Sequence, residues 1–177
     1  MHPKKIIAFG ASISKNSINK VLAHYTASLF TNDDVQLIDL LDYYPLPIYS
    51  IDHELENGIP ENARRFHDDL ALADMIIISL AEHNGSYTSG FKNLFDWSSR
   101  VHSKLFEGKD LLLLSTSPGP RGGLSALEAA TKRFPFHGGE IVGRFTLPEF
   151  GKNFDPERGI TNEPLRVDFQ ALIDPLI

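Results

Sequence analysis

Short apolar runs alternate along the chain with stretches in which apolar residues recur every three or four positions. Residues 6–9 form an unbroken apolar run closed by Gly10 and predict a buried strand. Residues 16–30 have helical spacing, with Ile18, Val21, Leu22, Tyr25 and Leu29 on one face. Residues 35–41 predict a second strand. Residues 43–58 hold two prolines with aromatic and acidic residues and predict a long loop. Pro60 fits the first turn of a further helix, with Ala63, Phe66, Leu70 and Ala73 on its inner stripe. Residues 75–80, 111–114 and 141–147 predict three more strands. Residues 88–101, a segment running from Gly123 to about Arg133, and residues 165–176 predict helices, with another loop reaching Asn162.

Five strands alternating with five helices imply a parallel sheet, because parallel strands need crossover connections and those connections cover both faces. The expected fold is α/β, a three-layer sandwich. No repeat, low-complexity tract or linker interrupts it, so residues 1–177 are expected to form one domain.

Composition narrows the function. Apolar residues make up 42% of the 177 and charged residues 23%, a globular balance. Seventeen basic against 23 acidic residues leave a net charge of -6, which argues against a nucleic-acid partner, since that affinity comes from Lys and Arg on phosphates. With no cysteine there can be no disulfide, Cys-ligated zinc, iron–sulfur cluster or thiol nucleophile, and a cytoplasmic setting fits. The segment from Met1 through Lys5 runs into only four apolar residues before Gly10, too few for a signal peptide, and no stretch is long enough to span a bilayer, so no membrane partner is expected. Asn84-Gly85-Ser86 fits the glycosylation triplet but lacks an export signal. The seven histidines show no ligand spacing, and no metal is expected.

In an open parallel sheet, ligands bind beyond the carboxyl ends of the strands. Three loops leave such ends. The first, residues 10–19, offers three hydroxyls (Ser12, Ser14, Ser17), two side-chain amides, Lys15 and the free amides of a helix start. A helix start is electropositive and can bind a phosphate. Capping alone needs only one Ser or Asn. The loop lacks the Gly-Lys-[Ser/Thr] of a Walker loop and the Gly-x-Gly-x-x-Gly of a dinucleotide site. The second loop is Ala81-Glu82-His83-Asn84-Gly85-Ser86-Tyr87, in which Asn-Gly is a turn former. The third is Ser117-Pro118-Gly119-Pro120-Arg121-Gly122-Gly123, whose glycines permit close approach of backbone to a flat ligand.

Together these loops resemble the NADPH-dependent FMN reductase family. That family's Gly-Ser-x-Arg-x-x-Ser-x-Asn aligns with Ala11-Ser12-Ile13-Ser14-Lys15-Asn16-Ser17-Ile18-Asn19. Its Pro-Glu-Tyr-Asn followed by Gly-Ser aligns with Ala81-Glu82-His83-Asn84-Gly85-Ser86. Its Lys-Asn-x-x-Asp-Trp is present as Lys92-Asn93-Leu94-Phe95-Asp96-Trp97, and its Ser-Pro-Gly-x-x-Gly-Gly as the third loop. The segment Pro45-Leu46-Pro47-Ile48-Tyr49 resembles the family's proline-containing loop. The likeness covers roughly residues 4–147, with two departures: the family Arg is Ser14, and the family Tyr is His83.

The resemblance implies a flavodoxin-like fold with strand order 2-1-3-4-5, FMN as cofactor and NADPH or NADH as hydride donor. It implies FMN phosphate on Ser12, Ser14, Ser17 and Asn19, with Ile18 in the same set. It implies the flavin ring on Glu82, His83, Asn84 and Gly85, and Ser117, Pro118, Gly119, Gly122 and Gly123 around its pyrimidine end. Hydride transfer runs through FMN, so no catalytic side chain is expected. Amides around Gly119 to Gly123 are expected to stabilise charge on the reduced ring. The resemblance implies a small-molecule acceptor of quinone, azo or flavin type; the aromatic loop with Tyr43, Tyr44 and Tyr49 is expected either to cover flat acceptors or to plug a subunit contact. A homodimer or homotetramer is expected. The alternative is a flavodoxin-type FMN electron carrier without nicotinamide turnover, although the Thr-rich phosphate loop of flavodoxins is absent. A relative that has lost FMN and serves as an interaction domain is a third reading.

Overall fold

The computed structural model describes residues 3–177; Met1 and His2, at the start of the amino-terminal segment read above, lie outside the described residues. The main sheet has five strands: β1 (Lys5–Gly10), β2 (Asp34–Leu37), β3 (Met75–Leu80), β6 (Asp110–Thr116) and β7 (Glu140–Leu147). All neighbours are parallel, in the order β2-β1-β3-β6-β7. Counting only these strands along the chain, the order is 2-1-3-4-5, as expected. Two two-stranded hairpins, β4 (Glu82–His83) with β5 (Ser86–Tyr87) and β8 (Phe154–Asp155) with β9 (Gly159–Ile160), lie outside it.

Alternation of side chains along each strand builds two cores. Ile7, Phe9, Ile76, Ile78, Leu111 and Leu113 face α3 (Glu61–Ala71), α4 (Ser89–Val101) and α5 (Leu124–Arg133). Ile6, Ala8, Ile77, Leu112 and Leu114 face α1 (Ile18–Ala27) and α7 (Glu163–Ile173). All six residues of β3 are buried, which explains why its sequence shows no alternation. Truncating Leu113 to Ala here would cost about 2–5 kcal/mol.

Several elements depart from the pattern reading. β2 ends at Leu37, and Leu40–Tyr43 turns as a 3-10 helix because the Asp39 carboxylate accepts from the Leu41 amide at 3.0 Å. The expected loop at residues 43–58 contains α2 (Ile51–Asn57), capped by Ser50. None of its residues is buried, so it left no apolar stripe to read. The inner face of α1 is rotated from the expected one: Asn19, Leu22, Ala23, Thr26 and Ala27 are buried and Val21 is exposed. The loop before Asn162 holds α6 (Phe150–Asn153) and the β8–β9 hairpin.

Candidate functional site

The first loop joins β1 to α1 at the carboxyl edge of the sheet. Gly10 lets them meet, since a Cβ there would lie 2.3 Å from the Lys20 amide nitrogen. Ser17 caps α1, its hydroxyl accepting from the Lys20 amide at 3.2 Å. The Ser12 hydroxyl accepts from the Ser14 amide at 3.1 Å. As acceptors in these bonds, both hydroxyls keep their protons for a ligand. The amides of Ile18 and Asn19, in the first turn, have no acceptor among the described residues. Lys20 is committed to Asp39 at 2.7 Å, and that cation helps hold the Asp39 carboxyl below the usual carboxylate range against the opposing effect of burial. Ser14, Lys15 and Asn16 are exposed.

Asn19 is buried and knits three elements. Its Oδ1 accepts from the Thr116 amide at 3.0 Å and the Ser79 hydroxyl at 2.8 Å, and its Nδ2 donates to the Thr116 carbonyl at 3.0 Å. The side chain therefore ties the start of α1 to the ends of β3 and β6. Thr88 performs a similar service for α4: its hydroxyl donates to the Ala11 carbonyl at 2.9 Å and accepts from the Phe91 amide.

The second loop is the β4–β5 hairpin, with Asn84 (φ 52°) and Gly85 (φ 76°) forming its left-handed turn. Glu82 pairs with Tyr87 across it. Tyr87 stacks on Phe134, and burial pushes its phenol up to about 12. Glu82 reaches the third loop: its Oε2 accepts from the Ala126 amide at 3.1 Å. It thus caps α5, whose own N-cap residue, Gly123, supplies no side chain.

In the third loop, Gly122 and Gly123 serve the turn itself. Both have positive φ, and a Cβ on Gly122 would lie 2.5 Å from Thr146 Cγ2. Several of the polar groups expected to serve a reduced ring are already engaged within the protein. The Gly119 amide bonds Ser117 Oγ, the Gly122 amide bonds the Gly119 carbonyl, and α5 already carries the Glu82 carboxylate.

These loops enclose a cleft of about 270 Å³. Ser12, Ser14, Ser17, Ile18 and Asn19 line one wall, Glu82 and His83 a second, and Ser117 and Pro118 a third. Asn84, Gly85, Gly119, Gly122 and Gly123 do not line it: the first two sit at the hairpin tip, and Gly122 and Gly123 are buried behind the turn. Asn16, Ala81 and Thr116 line it without having been singled out; each adjoins a residue that was. Tyr43, Tyr44 and Tyr49 line no part of it. Their hydroxyls bond Asp69 of α3 at 2.6 Å, the Gly90 carbonyl of α4 at 2.6 Å and Glu54 of α2 at 3.1 Å, so these rings belong to the packing of those helices. Among the described residues no group of three or more His, Asp or Glu side chains is placed to hold a metal. Among the described residues no helix is long and apolar enough to cross a membrane.

The donor set fits FMN. Serine hydroxyls and helix-start amides suit a phosphate without any cation in the wall, and the second and third loops add further lining to the same cavity of about 270 Å³.

Comparison with known proteins agrees with that fit. The chain matches the NADPH-dependent FMN reductase family over residues 4–151. It is 37% identical over 119 residues to a 2-hydroxy-1,4-benzoquinone reductase of Burkholderia sp, covering 67% of this chain and 63% of that protein's own length. It is 26% identical over 161 residues to a quinone reductase of Escherichia coli K12, covering 85% of each. In structure it superposes on FerB, a flavoenzyme NAD(P)H:(acceptor) oxidoreductase from Paracoccus denitrificans, with TM-score 0.75 at 23% identity, over 97% of this chain and 94% of that one. With a flavodoxin-like sheet, a serine-lined cleft at its carboxyl edge and a family match across most of its length, this chain belongs to the NADPH-dependent FMN reductase family of FMN-using, NAD(P)H-dependent oxidoreductases.

Proposed function

We propose that residues 1–177 act as one FMN-binding domain that oxidises NADPH or NADH and reduces a small quinone-class acceptor. The observation that carries this reading is the cleft of about 270 Å³, lined together by the serines of the first loop, Glu82 and His83 of the second and Ser117 and Pro118 of the third. The quinone class is favoured by two relatives, a benzoquinone reductase and a quinone reductase.

When bound, FMN supplies a ring that takes a hydride from the nicotinamide and passes two electrons to the acceptor. The chain's part is placement. Ser12, Ser14 and Ser17 hold the phosphate with hydroxyl donors, and the free amides of Ile18 and Asn19 add the positive end of α1. Asn19 fixes those amides relative to β3 and β6. Glu82, His83, Ser117 and Pro118 would line the place of the ring. The exposed His83 leaves a polar edge where nicotinamide and acceptor enter in turn.

The protein works in the cytoplasm, where the nicotinamide pool lies, and as a homodimer or homotetramer. Ile48, Ile51 and Leu55 support the assembly: they are 86%, 52% and 78% exposed on and beside α2, an apolar surface that a second copy would cover.

The test is a titration with FMN, followed by NADPH or NADH with and without 1,4-benzoquinone. Saturable binding and quinone-dependent nicotinamide oxidation support the proposal. Binding without nicotinamide oxidation would favour an electron carrier instead.

A further inference from the structure

The only partner of the Glu82 carboxylate among the described residues is the Ala126 amide, at 3.1 Å. Among the described residues no Lys, Arg or His lies within ion-pair distance of it. It caps a ten-residue helix whose N-cap residue, Gly123, offers no side chain. The same residue lines the cleft together with Ser117 and Pro118. A carboxylate therefore sits in the wall of the proposed ring site, bonded to the first turn of α5.

We propose that Glu82 is a positioning residue that also sets the reduction potential of the bound flavin, holding it low. The inference rests on the proposal that the cleft takes FMN. Its physics is simple. A hydride brings two electrons and one proton, so a ring that accepts one gains a unit of negative charge while the nicotinamide loses the same pair of electrons. The start of α5 would stabilise that charge through its amides and dipole. The Glu82 carboxylate occupies the Ala126 amide and opposes the dipole, so the reduced ring meets a neighbour of like charge in a site partly screened from water. A low potential keeps the bound ring a strong donor to the acceptor. The geometric part of the role is the tether: β4 hangs on the start of α5 through this bond, which fixes the width of the gap between the second and third loops.

The variant E82Q separates the two parts. Its amide oxygen still accepts from Ala126, while the charge is gone. The expected result is near-unchanged affinity for oxidised FMN, by fluorescence quenching. The midpoint potential, measured by equilibration with a reference dye, should rise by roughly 30 mV, a tenfold gain in the two-electron equilibrium. E82D, which keeps the charge, should stay close to the wild-type potential. E128Q, removing an exposed acidic residue of α5 outside the cleft, should leave both readouts unchanged. E82A should show the same rise in potential together with weaker FMN binding, because the tether is lost. FMN bound by E82Q at the wild-type potential would overturn the inference while leaving the cleft's assignment intact. Failure of the wild-type protein itself to bind FMN would overturn both.

Discussion

Asn19 and Thr116 are joined by a two-point bond across 97 positions of chain: the Thr116 amide donates to Oδ1 at 3.0 Å, and Nδ2 donates to the Thr116 carbonyl at 3.0 Å. A side chain here completes the last backbone pair at the end of β6, and the Ser79 hydroxyl adds a third bond from β3. The phosphate loop is thus fixed to the sheet by a residue that spends most of its hydrogen-bonding capacity internally. Asn19→Ala strips both Thr116 groups of their buried partner and should cost about 3 kcal/mol of stability. It should also weaken FMN binding, since the first turn of α1 loses its anchor. Urea unfolding of the apo protein checks the first effect and an FMN titration the second.

Ser14 occupies the position of the family's Arg, and the remaining donors are neutral. Ser14→Arg adds a bidentate cation beside the phosphate donors and should tighten FMN by about tenfold. Riboflavin, which lacks the phosphate, should bind with unchanged affinity. An equal gain for both ligands would show that residue 14 does not face the phosphate.

Gly122 and Gly119 sit three residues apart in one turn but answer to different constraints. Gly122 has φ +57°, and a Cβ would meet Thr146 Cγ2 at 2.5 Å and the Leu147 carbonyl oxygen at 2.9 Å. Gly122→Ala should destabilise the protein by roughly 1–3 kcal/mol through backbone strain and overpacking. A Cβ on Gly119 would meet only Ser117 Oγ, at 3.8 Å, and Gly119→Ala should be close to neutral for stability. Thermal unfolding of the two variants side by side tests the contrast.

A buried histidine, His137, and a half-buried one, His24, contribute to the acid side of the stability profile. The His137 Nδ1 lies 2.7 Å from the Ser103 carbonyl oxygen and so carries the proton, while Nε2 is buried without a partner. Burial holds His137 below the usual imidazole range; burial and then the nearby Lys20 do the same for His24. Folded protein therefore resists protonation that the unfolded chain accepts. The resulting stability is full above about pH 6.5 and is lost as pH falls from there through the folded values. Urea midpoints should fall between about pH 8 and pH 5. His137→Phe, which keeps the ring packed on Phe95, should make that fall smaller.

The sheet was legible because its central strands are apolar on both faces: in β3, Met75 to Leu80 can be nothing but interior, and Gly10 and Asp74 mark strand boundaries plainly. The three site loops were legible as polar or glycine-rich turns at strand ends. The parts that escaped each lack a periodic signal. Ile51 and Leu55 of α2 point outward, so the helix has no inner stripe. Glu82 was named as a ring residue through the resemblance, but the bond of its carboxylate to the Ala126 amide, 44 positions away, was not legible. Gly122 and Gly123 read as ligand-approach glycines because sequence shows that backbone freedom is needed there, not which neighbour demands it. Tyr43, Tyr44 and Tyr49 read as a cover for acceptors because an aromatic cluster in a loop gives no hint of the partners that hold the rings down, Asp69, Gly90 and Glu54.

The most direct test of the central claim is calorimetric titration of the intact protein with FMN, set against riboflavin. The account predicts saturable binding of one FMN per chain, with riboflavin weaker because the hydroxyls of Ser12, Ser14 and Ser17 and the start of α1 are left without a phosphate. No heat and no saturation with FMN would contradict it.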